Sequence, residues 1–191
     1  LWTGHVQWYD FGFYILYTFH FLMPVVLGLV LWQWRPKLYW PFVWTIISAS
    51  FLAFFVYLAF PAVPPWMADE KFHVITEPFQ HISGDVWWAV GLKNYSVLYP
   101  QLSGNPVAAV PSLHSAYPMI AAIFVSLAFG LRKAWLVWLY PLVMWIGVMY
   151  LGEHYFFDIV AAWLDVAAAF GVVWLGYRYY NRHKKLLRET R

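Results

Sequence analysis

Five long apolar runs constrain the fold of this 191-residue chain more than any other feature. They occupy residues 11–34, 40–60, 112–131, 134–151 and 156–177. A helix needs roughly 20 apolar residues to cross the hydrocarbon core of a bilayer, which is about 30 Å thick. Charged residues make up only 11% of the chain, less than half of the roughly 25% found in soluble domains. The sequence therefore predicts an all-α polytopic membrane helix bundle with five visible transmembrane helices.

The basic residues are distributed unevenly between the two sides of this five-span arrangement. Ten of the twelve follow the first, third or fifth span: Arg35, Lys37, Arg132, Lys133, Arg178, Arg182, Lys184, Lys185, Arg188 and Arg191. Lysine and arginine are enriched on the cytoplasmic side of membrane proteins. We therefore expect a cytoplasmic C-terminal tail, with the 61–110 segment and the turn near residue 152 on the non-cytoplasmic face.

The segment 61–110 is too long to be a simple connection between two spans. Three prolines, Pro61, Pro64 and Pro65, end the second span because proline cannot continue a helix. A stretch at residues 79–92 that contains two tryptophans predicts a short helix lying in the membrane interface. We interpret the segment as a wall or lid over a site, and the whole chain, 1–191, as one transmembrane domain.

A first histidine motif, Pro111-Ser112-Leu113-His114-Ser115, opens the third span. Serine is a favoured N-cap, and a helix N-terminus presents unpaired N–H groups that suit an anion. His114 would then face a bound phosphate. The alternative is a simple capping turn that carries an interfacial histidine.

A second motif places His154 and Asp158 at the start of the fifth span, on the same outer face as the first. Their spacing of four residues puts both side chains on one side of a helix. A carboxylate bonded to one imidazole nitrogen fixes the tautomer and leaves the other nitrogen nucleophilic. Since histidine exchanges protons near neutral pH, the two motifs together indicate a phosphoryl-transfer site at the membrane rim. A purely structural His–Asp pair is the alternative.

These motifs resemble the type-2 phosphatidic acid phosphatase superfamily of lipid phosphatases and phosphotransferases. The motif sequences are most similar to those of the branch that contains fungal inositol phosphorylceramide synthase, and the resemblance covers about residues 10–180. Three segments carry it: FPAVPPW at 60–66, VPSLHS at 110–115 and YLGEHYFFD at 150–158. The superfamily core usually has six helices, so the resemblance implies a further helix before Leu1.

The resemblance also implies roles for individual residues. His154 would attack phosphorus and become phosphohistidine, Asp158 would orient it, and His114 would protonate the leaving oxygen. Ser112, Ser115 and nearby backbone N–H groups would hold the phosphate. The reaction would need neither a metal nor a cofactor.

The sequence departs from the superfamily pattern at its cationic positions. The usual Lys-x6-Arg-Pro motif is absent, and Gly147-Val148 replaces the usual Ser-Arg before the third motif. Lys71 and Lys93 are the basic residues left on the outer side, where they are either phosphate ligands or ordinary loop lysines. Few cations suit a singly charged phosphodiester better than a phosphomonoester dianion.

We therefore expect an integral membrane enzyme of the plasma or inner membrane that acts on a lipid phosphate at its outer face through phosphohistidine. The acceptor is either water, in a phosphatase, or a lipid hydroxyl, in a head-group transferase of the inositol phosphate type. The expected partners are the lipid substrate and the bilayer, without nucleic acid. The sequence specifies neither the lipid nor an oligomeric state.

Two other classes of protein use the same residues differently. A small transporter or assembly factor would use the His154–Asp158 pair together with Asp165 and His20. We expect Asp165 and His20 to form a hydrogen bond with each other within the membrane. A metalloenzyme would draw its ligands from His73, His81, His114 and His154.

Overall fold

The computed structural model describes residues 1–70, 72–73, 80–92 and 105–189, with side chains up to Lys184. Within these ranges the chain is helical apart from short connections and one isolated parallel bridge between Ala62 and Ala108. The all-α prediction is confirmed. The helices are α1 (Trp8–Phe19), α2 (Met23–Trp34), α3 (Pro36–Ala59), α4 (Pro65–Glu70), α5 (Ile82–Ala89), α6 (Leu113–Phe129), α7 (Leu131–Tyr150, with a 3-10 turn at Trp135–Trp138) and α8 (Phe156–Glu189).

Three of these helices, α3, α7 and α8, are long and apolar enough to cross a bilayer. The pair α1 and α2 would form a fourth span, although the two helices are bent by 57° relative to each other. Helix α6 is apolar but has 17 residues, which at a rise of 1.5 Å per residue reach about 26 Å. The described chain thus forms a polytopic membrane bundle with three or four full-length spans, rather than the five that the sequence predicts.

The first predicted span, residues 11–34, is broken rather than continuous. Helix α1 ends at Phe19, α2 begins at Met23, and Pro24 lies in the first turn of α2. Proline lacks an N–H, and its ring clashes with the carbonyl four residues earlier, which here belongs to His20. The chain therefore bends at residues 20–22, and the His20 side chain projects from the bend.

The core of the bundle lies between α2, α3, α6 and α8. Alanines on three of these helices, Ala49, Ala116 and Ala162, are fully buried, since small side chains allow helices in membranes to approach closely. Large aromatic side chains such as Trp44, Phe55 and Trp174 are exposed. An apolar exterior of this kind is what a lipid-facing surface requires.

Helices α3 and α6 run antiparallel and are joined at both ends by hydrogen bonds. Arg35 Nε, at the start of α3, donates to Ala128 O at the end of α6 over 2.7 Å. The Tyr57 hydroxyl, near the end of α3, donates to Pro111 O, just before α6, over 2.8 Å. We call the second of these ends the histidine end, because His114 and His154 lie there, and the first the basic end.

The basic end carries every lysine and arginine among the residues whose side chains the structure describes: Arg35, Lys37, Arg132, Lys133, Arg178, Arg182 and Lys184. A cavity of about 410 Å³ between α3 and α8 also lies towards this end, where Trp44 and Tyr180 line it. The described basic side chains and the two histidines thus lie at opposite ends of the bundle.

Candidate active site

The N-terminus of α6 is fixed against the first turn of α8. Ser112 is the N-cap, and its Oγ accepts a hydrogen bond from Ser115 N over 3.2 Å. Ser112 N donates to the carbonyl of Asp158 over 3.1 Å. Both serines are completely buried, so the cap sets the position of His114 relative to α8 without contacting solvent.

His154 and Asp158 are in contact at the start of α8. His154 Nδ1 lies 3.1 Å from Asp158 Oδ2, which also accepts a hydrogen bond from Tyr155 N over 2.9 Å. The side chains of both His154 and Asp158 are buried. Burial raises the pKa of the neighbouring Tyr155 phenol, and the Asp158 carboxylate adds to this shift. The phenol is therefore protonated at neutral pH.

The two histidines contact each other directly. His114 Nδ1 lies 3.2 Å from His154 Nε2. Because the Asp158 carboxylate accepts, His154 carries a proton on Nδ1, and in the neutral ring its Nε2 presents a lone pair. In that state the Nδ1–H of His114 donates to this lone pair. The result is a directed chain from His114 through His154 to Asp158.

A tight turn between α7 and α8 presents His154 to this chain. Gly152 has a φ of 84°, a conformation that glycine adopts without strain. The next two backbone N–H groups, of Glu153 and His154, both donate to Val148 O over 3.0 and 3.1 Å. The nucleophile candidate is thus held by backbone hydrogen bonds as well as by its carboxylate.

Apolar packing occupies the two positions where the related pattern has serine and arginine. A Cβ added to Gly147 would come within 2.9 Å of the Phe13 ring on α1. Val148 is completely buried beside Ile159 and Met144. Phe13 of α1 thus leaves no room for a side chain at the serine position, and a buried valine fills the arginine position.

Helices α4 and α5 of the outer segment contact the Gly152–His154 turn. The Ser83 hydroxyl donates to the buried Glu153 carboxylate, and His81 Nε2 lies 3.4 Å from the same oxygen. The His81 ring stacks on Trp66 with centroids 4.1 Å apart, and Trp66 N donates to Gly152 O over 3.2 Å. The helix expected within residues 79–92 is present as Ile82–Ala89, and it packs over the site.

Sequence reasoning did not predict the contact between Glu153 and Ser83. Seventy residues separate the two side chains along the chain, and neither belongs to a spacing pattern. The only sequence signal was a carboxylate directly before His154. His81 pairs with Glu153, and the described residues contain no group of three or more His, Cys, Asp and Glu side chains arranged to hold a metal ion.

Tyr17, in the last turn of α1, and His20, at the break between α1 and α2, contact His114. The Tyr17 ring stacks on it with centroids 4.1 Å apart and planes 11° apart. The His20 ring lies 3.9 Å from it, tilted by 50°. The predicted bond between His20 and Asp165 is wrong, because His20 Nδ1 instead donates to Tyr17 O over 2.7 Å.

The remaining candidates lie apart from this site or outside the described part of the chain. Lys71 and Lys93, the expected phosphate-binding cations, fall outside the described residues. Asp165 is buried deeper along α8, and its Oδ2 has no hydrogen-bond partner among the residues described.

Comparison with known proteins gives one family and several relatives. The model of the PAP2 superfamily matches residues 1–172. A phosphoinositol dihydroceramide synthase of Bacteroides thetaiotaomicron is 27% identical over 169 residues, which cover 82% of this chain and 52% of the relative. The inositol phosphorylceramide synthase catalytic subunit of Schizosaccharomyces pombe is 28% identical, with 81% of this chain and 36% of the relative covered.

The inositol phosphorylceramide synthase of Candida albicans is 24% identical, with 94% of this chain and 37% of the relative covered. The chain thus spans about half or less of the length of these curated relatives. No solved structure gives a significant match.

Proposed function

Because the chain belongs to the PAP2 superfamily, we propose that it is an integral-membrane enzyme that transfers a phosphate-linked head group from one lipid to the hydroxyl of another. The observation that carries this proposal is the directed chain from His114 through His154 to Asp158. It leaves a lone pair on a buried imidazole that a carboxylate orients, which is the arrangement of an activated nucleophile.

In the proposed reaction, His154 Nε2 attacks phosphorus in line with the leaving oxygen. The N–P bond forms, the P–O bond to the donor lipid breaks, and His114 Nδ1 gives its proton to the leaving oxygen. Asp158 holds the Nδ1–H of His154 and stabilises the positive charge that develops on its ring. The acceptor hydroxyl then returns a proton to His114 and attacks the phosphohistidine.

The distribution of charge favours a phosphodiester as the donor. No described lysine or arginine lies at the histidine end, and a doubly charged phosphomonoester is normally bound by such cations. A phosphodiester carries one negative charge, which the α6 N-terminus and a protonated imidazole can balance. Two relatives are named as synthases of phosphoinositol dihydroceramide and of inositol phosphorylceramide, and these names support an inositol-type phospholipid donor and a ceramide-type acceptor.

The proposed topology follows from the same separation of charge. The basic end lies in the cytoplasm, and the histidine end lies at the outer face. Five spans then result if α1 and α2 cross together and the 17-residue α6 also crosses, with its N-terminus at the level of the head groups. Lipid tails stay in the bilayer and reach the site from the side.

Phosphorus NMR of the purified protein in detergent tests the function. The protein is offered phosphatidylinositol, phosphatidic acid or phosphatidylglycerophosphate, each with and without ceramide or diacylglycerol. We expect a new phosphodiester signal with phosphatidylinositol and ceramide that is lost in His114→Ala and His154→Ala. Release of inorganic phosphate, lost in the same variants, would instead identify a lipid phosphatase.

Two results would contradict the proposal. One is the absence of any reaction of the unaltered protein across the whole panel. The other is an activity that persists in His154→Ala, because the mechanism has no other nucleophile.

A further inference from the structure

One nitrogen of the proposed acid has no partner. Since His114 Nδ1–H donates to His154, a neutral His114 has a lone pair on Nε2. That Nε2 is buried and has no hydrogen-bond partner among the described residues. A buried polar atom without a partner is costly and calls for an explanation. Protonation at Nε2 would both charge His114 and give this atom a hydrogen to donate.

A third imidazole lies against the His114 ring. The His20 ring centroid is 3.9 Å from that of His114, closer than the 5.3 Å between the hydrogen-bonded His114 and His154 rings. His20 is 3% exposed, so protein rather than bulk solvent surrounds the contact. The break between α1 and α2 places His20 beside His114, since His20 is the first residue of the bend.

The tautomer of His20 is also fixed. A carbonyl oxygen only accepts, so the contact of His20 Nδ1 with Tyr17 O requires a proton on Nδ1. Its Nε2 is therefore the position that gains and loses a proton. Tyr17 stacks on the His114 ring as well, so this one residue contacts both imidazoles.

We propose that His20 is a proton-relay residue that supplies Nε2 of His114 while His114 gives its Nδ1 proton to the leaving oxygen. This inference rests on the proposed function, in which His114 is the acid, and it identifies His20 as the residue that supplies a proton to that acid. The transfer from His20 occurs between the contacting rings or through one water molecule. His114 thus gains one proton at Nε2 and loses a different proton at Nδ1.

The protons balance over one cycle. The three-histidine cluster begins with one extra proton, shared by His20 and His114. In the first half-reaction the leaving oxygen takes a proton from His114 Nδ1, and His114 gains one at Nε2 from His20. In the second half-reaction the acceptor hydroxyl gives its proton to His114 Nδ1, and His114 Nε2 returns one to His20. No outside oxidant, metal or base takes part.

A shared proton would supply a positive charge for the substrate phosphate at this end of the bundle. No described lysine or arginine lies at the histidine end, so the shared imidazolium is the positive charge available there to a phosphodiester anion. Other titratable groups that face the His20–His114 pair are His154, Tyr17 and Tyr117, whose ring is 6.0 Å from that of His20.

The test compares the first half-reaction, measured as release of the leaving group in a single turnover, for two donors that differ in their need for an acid. The first is phosphatidylinositol, whose alkoxide leaving group must be protonated. The second is the 4-nitrophenyl ester of inositol phosphate, whose phenolate leaves without a proton. His20→Phe keeps a ring in contact with His114 and removes both nitrogens. We expect it to lower the rate with phosphatidylinositol by about 100-fold or more, in the range of general acid catalysis, and the rate with the nitrophenyl ester by about 3-fold or less.

Three further variants complete the comparison. His114→Ala should show the same selective loss, and His5→Phe, a change at an exposed histidine near the N-terminus, should leave both rates unchanged. In His20→Ala, added imidazole should restore part of the rate with phosphatidylinositol. The nitrophenyl rate in each preparation also reports how much folded enzyme is present.

The possible outcomes separate the relay from the function it rests on. Equal losses with both donors in His20→Phe would make His20 a structural residue, and no loss with either would remove it from the reaction. Either result overturns the relay while the proposed function stands. If the unaltered protein acts on neither donor, the proposed function fails, and the relay fails with it.

Discussion

The proposed nucleophile, His154 Nε2, lies 3.2 Å from His114 Nδ1, a distance that fits a hydrogen bond but is too short to hold a phosphoryl group between the two nitrogens. Phosphorus must enter between the two rings, so they must separate when substrate binds. Asp158 and the backbone bonds to Val148 hold His154 in place. We therefore expect His114 to make the larger movement, together with the Tyr17 and His20 rings that contact it.

At this scale the clearest prediction concerns Asp158. In Asp158→Asn, the amide can donate to His154 Nδ1, which would place the imidazole proton on Nε2 and block attack. We expect kcat to fall by roughly 10³- to 10⁴-fold, as for the corresponding change in serine protease triads, with KM little changed. Initial rates of head-group transfer measure both constants.

The matched control is Asp85→Asn. Asp85 lies on α5, and its carboxylate accepts a hydrogen bond from the Gln80 side chain rather than from a histidine. This variant should stay within about 2-fold of the unaltered protein, as expected of a substitution outside the reacting groups. If the kcat of Asp158→Asn is as high as that of the control, the carboxylate does not orient the nucleophile.

At the scale of elements, the sequence predicted local features better than contacts between distant segments. The N-cap at Ser112 and the spacing of His154 and Asp158 depend on neighbouring residues, and the structure contains both contacts. The break at residues 20–22 was not predicted, because an apolar run with one proline also fits a continuous or kinked span. The contact of His20 with His114 depends on that break, so the sequence could not reveal it.

A second element-scale feature is the attachment of α5 to the turn that carries His154. Ser83→Ala removes the hydroxyl that donates to the buried Glu153 carboxylate. We expect a loss of about 1 to 3 kcal/mol in unfolding free energy, seen as a lower thermal midpoint in detergent. Limited proteolysis should also cleave near α5 more readily.

Ser48→Ala is the control for this change, since Ser48 lies on α3 beside the cavity near the basic end. Its thermal midpoint should be close to that of the unaltered protein. If Ser83→Ala is equally stable and equally resistant to protease, the Glu153 contact does not hold α5 over the site.

At the scale of the whole molecule, the sequence predicted the class of fold but not the number of full-length spans. Hydrophobic content and basic residues suffice for a helical membrane bundle. The length of α6 does not follow from them, because Gly130, with a φ of 85°, ends the helix after Phe129, before the apolar run reaches the charged pair Arg132 and Lys133. The site is assembled from α1, α6 and α8, and this convergence requires the packed bundle.

Orientation in the membrane can be tested directly, because the chain contains no cysteine. Asn105→Cys introduces a thiol at an exposed position on the histidine side, and Asn181→Cys introduces one at an exposed position near the basic end of α8. An impermeant maleimide should label the first in intact cells and the second only after permeabilisation. The reverse pattern would place the site on the cytoplasmic face.

The absence of described lysines and arginines from the histidine end also bears on which compounds could block the protein. Most phosphatase inhibitors imitate a phosphate dianion and depend on cationic side chains for their affinity. Such compounds, and free phosphate in the medium, would compete poorly here. Uncharged aromatic molecules that stack against Tyr17 and hold the bend at His20 are better leads, since they would act on the surface that orients the acid.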